Sequence, residues 1–283
     1  DAIDAVRALG ADPSLSPRAA ANVRDAVANF DKESRKSAEL AAREARLESK
    51  ALGAWQAARA ESDFAAFAPA LSELLECKRE VAAVTVPDVA EPYDGALDRF
   101  ERGMSAARLD ELFGELRASL VPLLAEIEAA KASNPAIDAA HPALAPSAEW
   151  DVAEQASLCR EVAGRLGYSF DHGRLDTSAH PFTGGGGPTD VRITSRYSEN
   201  WAEGLGGVVH EAGHALYEQG RDMSDDARGL PAGEPLSMGV HESQSLLWER
   251  HVGQSEPFWR WAAPSFHARF PHTRACSPDD FYR

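Results

Sequence analysis

Cysteine is scarce in this chain: Cys77, Cys159 and Cys276 are the only three, odd in number and far apart. That spacing excludes a disulfide framework and a Cys-x-x-Cys metal site, and suits buried apolar fillers in a reducing compartment. Long apolar runs are also missing. No stretch reaches the ~18 apolar residues that a membrane span needs. The opening segment, DAIDAVRALG, lacks a basic stretch followed by an apolar core, so no signal peptide is read either. We therefore expect a soluble, cytoplasmic protein without a membrane partner. Positive charge is short as well: 29 Lys and Arg face 45 Asp and Glu, a formal net charge of -16 with a pI near 5.0. Phosphate binding needs concentrated basic surface, so no nucleic-acid partner is expected. Two nucleophile patterns are absent too, the Gly-x-Ser-x-Gly elbow and any recognisable cysteine motif. The run Gly184 to Gly187 lacks the Lys and Ser/Thr of a phosphate loop and reads as a flexible turn.

What is present is ordinary globular composition, 44% hydrophobic and 26% charged, in a chain of 283 residues that can bury a sizeable core. From Ser16 to Val84 it is dense in Ala, Glu, Arg and Leu with little Gly or Pro, which predicts long helices. Leu40, Leu47, Ala51 and Trp55 form an apolar stripe that Glu44 interrupts. Ser62 or Asp63 caps a second helix, and Val86 to Tyr93 reads as a connector. Ser105 opens a leucine-spaced helix that Pro122 should kink or divide. Asn134 to Ser147, rich in Pro and Ala, marks the clearest boundary and is followed by a helix from Ser147 through Leu166. Beyond Gly167, Val191 and Ile193 alternate with polar neighbours and predict a short strand or two. Helix resumes at about Glu203.

That last helix carries His210, Glu211 and His214 in the pattern HExxH. Histidines four apart share one helical face, so both imidazoles can meet one tetrahedral ion. Glu211 stands about 100° around the helix, close to such an ion without having to bind it, where a general base for a bound water belongs. Chance alone produces the string in roughly one per cent of chains this long. Apolar Val208, Val209, Ala215 and Leu216 argue against chance, because a buried helix must find partners for these polar groups and one metal ion could serve them together. The third ligand does not come from a metzincin pattern, since Tyr217 and Gly220 stand where Gly and His would be required. Glu218 lies a turn beyond His214, roughly 6 Å along the axis, too far to reach the ion. A downstream helix, SMGVHESQSLLWERHVG, can return antiparallel, and its Glu242 completes a two-histidine, one-glutamate set with an open position. His241 then stands at the rim, as a proton donor, a group behind the ligands or a plain surface histidine.

HPF at 180 to 182, DVRIT at 190 to 194, HEAGH at 210 to 214 and HESQ at 241 to 244 follow one another in order. In these motifs the chain resembles the carboxypeptidase Taq family of thermostable metallocarboxypeptidases, over most of its length. The resemblance implies a mainly α fold, with long N-terminal helices packed on a helical, gluzincin-like catalytic core and a short β segment near the active-site groove. It implies a homodimer in the full-length protein, peptide substrates, and removal of single residues from peptide carboxyl ends. His210, His214 and Glu242 become zinc ligands and Glu211 the base, with cobalt or manganese able to fit the same donors. His180, Asp190 and Arg192 become candidates for the substrate groove. Arg192 can equally pair with Asp190, His180 can be a hydrogen-bonded turn residue, and Asp190 can support a ligating histidine. The domain reading is a helical region over 1–146 and a zinc-site region over 147–283. The family's later motifs, one with a substrate-binding arginine and one rich in Gln, Asp, His and Trp, are not found before Arg283. The expectation is a C-terminally truncated portion with an incomplete groove and weak or no activity. Two other readings fit the residues: an aminopeptidase or endopeptidase on the same metal site, and a non-catalytic helical fragment that binds zinc.

Overall fold

A computed structural model describes residues 2–134, 140–146, 148–225 and 227–282. The fold is mainly helical with one small sheet, as expected. Two compact units divide the chain, one of Asp1–Ser119 with Ser224–Glu234, the other of Leu120–Met223 with Pro235–Arg283.

The first unit holds α1 (Ala2–Leu9), α2 (Pro17–Ser34), α3 (Ala38–Glu61), α4 (Phe64–Thr85) and α5 (Pro92–Leu97). Helices α3 and α4 form a hairpin. Ser62 ends α3 in the left-handed region at φ 55°, and Asp63 caps α4 by accepting from Ala66 N. Leu40, Cys77 and Val81 make a small core. Glu44 does more than interrupt the stripe. It is buried and takes Lys78 at 2.6 Å, Arg99 at 3.1 Å and Lys36 at 3.5 Å. Trp55, expected on the stripe, is 46% exposed.

Helix α6 (Ala106–Ser133) is continuous through Pro122, contrary to a division there. Proline frees the carbonyl four residues back, Ala118 here, and because α6 buries no residue, water can serve that carbonyl. Of the boundary expected at Asn134 to Ser147, residues 135–139 and 147 lie outside the described ones.

In the second unit α7 (Val152–Leu166) starts after Asp151, whose carboxylate accepts from Glu154 N, and stops at Gly167 with φ 112°. Three strands follow: β1 (Gly173–Thr177), β2 (Thr183–Gly187) and β3 (Asp190–Ser195). Their order is β1-β3-β2, with β1 parallel and β2 antiparallel to β3. The glycine run is therefore strand, not the expected turn. Its fit is tight, since a Cβ on Gly185 would fall 1.8 Å from Asp190 O. Helix α8 (Trp201–Gln219) packs on the sheet, followed by α9 (Met238–Leu246), a π-helical turn (Leu247–Gly253), α10 (Glu256–Arg269) and α11 (Pro278–Tyr282). Leu158, Val162, Ile193, Val208 and Phe266 anchor the core, each at most 2% exposed. Among the described residues no helix is long and apolar enough to cross a membrane.

Candidate metal centre

Helix α8 presents its inner face to α9, and Gly213 sets how closely they approach. A Cβ there would meet Ser245 Cα at 2.6 Å and Gln244 O at 2.7 Å, so only glycine lets the backbones touch. The helices run antiparallel: His214 faces His241, while His210, one turn earlier, faces Glu249. Glu242 then reaches both histidines, its Oε2 lying 3.2 Å from His214 Nε2 and 3.8 Å from His210 Nε2. Donors about 2.1 Å from one tetrahedral ion stand about 3.4 Å apart, so these spacings bracket what a metal requires. Taken together, the donor atoms of His210, His214 and Glu242 lie within 4.8 Å of one another. Ser245 steadies the carboxylate, its hydroxyl donating to Glu242 Oε2 at 3.1 Å.

Each imidazole has its far nitrogen occupied, which leaves Nε2 for a metal. His210 Nδ1 is 2.8 Å from Glu249 Oε2. His214 Nδ1 is 2.6 Å from His241 Nδ1, whose ring continues through Nε2 to Glu218 Oε1 at 2.8 Å. Arg221 closes this row with a bond to Glu218 Oε2 at 2.7 Å. Burial, then the neighbouring His241 and His210, holds the His214 imidazole below its ordinary titration range and favours the neutral form that a ligand needs. Two imidazole nitrogens and one carboxylate oxygen form a donor set that suits a divalent metal ion.

Glu211 points elsewhere. It is 6% exposed, and its Oε2 accepts from the Thr183 hydroxyl at 2.6 Å. The same hydroxyl lies 3.0 Å from the Glu211 carbonyl, so β2 is bound to α8 at this point. Burial pushes the Glu211 carboxyl above its usual range, and Glu242 adds to this; Thr183, His210 and His180 pull it partly back.

Of the remaining candidates, His180 is exposed, with Nδ1 2.6 Å from Pro181 O, yet its charge still reaches Glu211. Asp190 and Arg192 pair with each other at 2.8 and 3.0 Å on the outer face of β3, and each holds the other charged. The histidines lean on Glu249 and His241 rather than on Asp190. Glu249 was legible in principle: it follows Glu242 by seven residues, two helical turns, on one face. Thr183 had no local signal, being 28 residues from its partner.

Two histidines from one helix, a glutamate from the next and a buried glutamate beside them make the constellation of a metal-dependent peptidase. Comparison with known proteins agrees: the profile of the carboxypeptidase Taq (M32) metallopeptidases matches residues 2–283, and the chain belongs to that family. Thermostable carboxypeptidase 1 of Thermus thermophilus is 37% identical over 273 residues, 93% of this chain and 52% of that protein. Carboxypeptidase 1 of Bacillus subtilis is 39% identical over 215 residues, 75% of this chain and 40% of that protein. The crystal structure of an M32 carboxypeptidase from Deinococcus radiodurans superposes with a TM-score of 0.85 at 33% identity, covering 99% of this chain and 55% of that one. The chain thus spans about half the length of the curated relatives it matches.

Proposed function

We propose that this chain carries the zinc centre of a carboxypeptidase that releases single amino acids from peptide carboxyl ends. The observation that bears most weight is the convergence of His210 Nε2, His214 Nε2 and Glu242 Oε2 beside the buried Glu211. These three residues hold the metal. Zinc bound there supplies a Lewis acid that polarises water and the scissile carbonyl. Glu211 takes the proton of the attacking water and hands it to the leaving amine. The Thr183 hydroxyl keeps the carboxylate in one orientation while it does so. His180, whose charge reaches Glu211, is assigned to the substrate side, and Asp190 and Arg192 are carried there as a mutually neutralised pair. Preference for carboxyl ends rests on the carboxypeptidase relatives, since the donor set alone serves either end.

Hydrolysis of N-acylated dipeptides by the zinc-loaded chain tests this reading. Any cleavage, however weak, is expected of the free-carboxyl substrate alone, and amidation of that carboxyl should abolish it. Equal cleavage of both, or cleavage that requires a free amino end, would overturn the carboxypeptidase reading. Zinc uptake without cleavage of any substrate would mark a metal centre whose groove is incomplete in this chain, the portion of weak or no activity that its motifs lead us to expect.

A further inference from the structure

The two histidines are supported by different chemistry. His210 meets a carboxylate directly, Glu249 at 2.8 Å. His214 meets a second imidazole, and the carboxylate, Glu218, stands behind it. We propose that His241, backed by Glu218 and Arg221, is a positioning residue that fixes His214 with its proton on Nδ1 and its lone pair on Nε2. This rests on the metal-site reading above.

The direction of the row follows from which atoms can donate. Arg221 has only N–H groups to offer, and it donates to Glu218 Oε2 at 2.7 Å. Glu218, a carboxylate, can only accept, so at 2.8 Å its Oε1 requires the proton of His241 on Nε2. With one proton on the ring, the lone pair is on Nδ1. That atom is 2.6 Å from His214 Nδ1, which must be the donor. His214 is left with a lone pair on Nε2, the atom 3.2 Å from Glu242 Oε2. The row is well covered: the side chains of His241 and Glu218 are each 18% exposed and that of Arg221 14%. Tyr217 stands edge-on to the His241 ring at 5.1 Å and limits its rotation. As acceptor, the His241 ring polarises the His214 N–H less than the Glu249 carboxylate polarises that of His210, so His214 takes on the smaller imidazolate character.

Competition titration of zinc against a chromophoric chelator, on the whole 283-residue chain, tests the proposal. Removing the acceptor in His241→Leu should weaken zinc binding roughly 10- to 100-fold. His241→Asn, whose amide oxygen stands near the place of Nδ1, should restore most of it. Glu218→Gln keeps the volume; Arg221 would take the amide oxygen and the amide nitrogen would face His241. His241 would then carry its proton on Nδ1, opposed to that of His214, and affinity should again fall about tenfold or more. Nitrogen-15 spectra of the zinc-loaded chain should show His214 protonated on Nδ1 and His241 on Nε2, a signature that a merely structural role does not require. Affinity in His241→Leu within twofold of the original, or a proton on His241 Nδ1, overturns the positioning role alone. If the unsubstituted chain binds no zinc, or binds it independently of Glu242, the metal reading fails and takes this one with it.

Discussion

Replacing Gly213 by alanine separates two effects of opposite sign. In a helix interior the change should by itself stabilise by about 1 kcal/mol, because glycine has more freedom to lose on folding. Here the added methyl would stand 2.6 Å from Ser245 Cα and 2.7 Å from Gln244 O, where ordinary contact begins at 3.4 Å. Both neighbours are tied to the α9 backbone, so α8 and α9 must part by an amount on the order of 1 Å, and such overpacking costs about 1–3 kcal/mol. The net expectation is a loss of about 0–2 kcal/mol, a fall of a few degrees in Tm for a unit this size. Glu242 moves with α9, away from its 3.2 and 3.8 Å placement on the histidines. Zinc affinity should therefore drop about tenfold or more, more than the change in stability suggests. Gly206 is the control on the same helix: a Cβ there meets nothing within 4 Å, and Gly206→Ala should raise Tm with zinc binding unchanged. Thermal melts by circular dichroism and chelator competition give both readouts. A higher Tm with unaltered zinc affinity in Gly213→Ala would refute the close-approach argument.

In the full-length protein Glu211→Gln should keep zinc bound and lower peptidase turnover by about 10²- to 10⁴-fold; retained turnover, or loss of the metal, removes Glu211 from the role of base. Glu44→Gln should cost about 1–3 kcal/mol near neutral pH, because Lys78, Lys36 and Arg99 lose a common buried partner. Burial alone would raise the Glu44 pKa, but Lys78, Lys36 and Arg99 together hold it below the ordinary 4.5. Its contribution is therefore present above that value and lost as pH falls through the folded pKa, so the melting curves of the two chains should converge in strong acid and separate on neutralisation. Cys159, with its thiol pushed up to about 12 by burial, should resist iodoacetamide at mildly alkaline pH until the chain is unfolded, as read by mass spectrometry.

Much of the centre was legible because its chemistry imposes short-range spacing. His210 and His214 have to be one turn apart on one helix, and Glu242 opens the next helix after a Gly- and Pro-rich loop. The cap at Asp63 and the stop at Gly167 are likewise local signals. What escaped depends on tertiary placement. Thr183 reaches Glu211 only because β2 packs on α8, and a run of four glycines carries no strand signal of its own. Glu249 stood at a legible seven-residue spacing from Glu242, but the π-helical turn that carries it to His210 gave no signal of its own. Glu44 read as a break in an apolar stripe because its cations come from Lys78 and Arg99, on other segments of the chain. Pro122 does not divide its helix for the opposite reason: its local penalty is real, but solvent can meet it on an unburied helix.

Zinc titration of the metal-free chain beside its Glu242→Ala variant tests the central claim most directly. One zinc per chain is expected, with a loss of affinity of at least about 100-fold when the carboxylate is removed. Equal stoichiometry and equal affinity in the two chains would contradict a centre built from His210, His214 and Glu242.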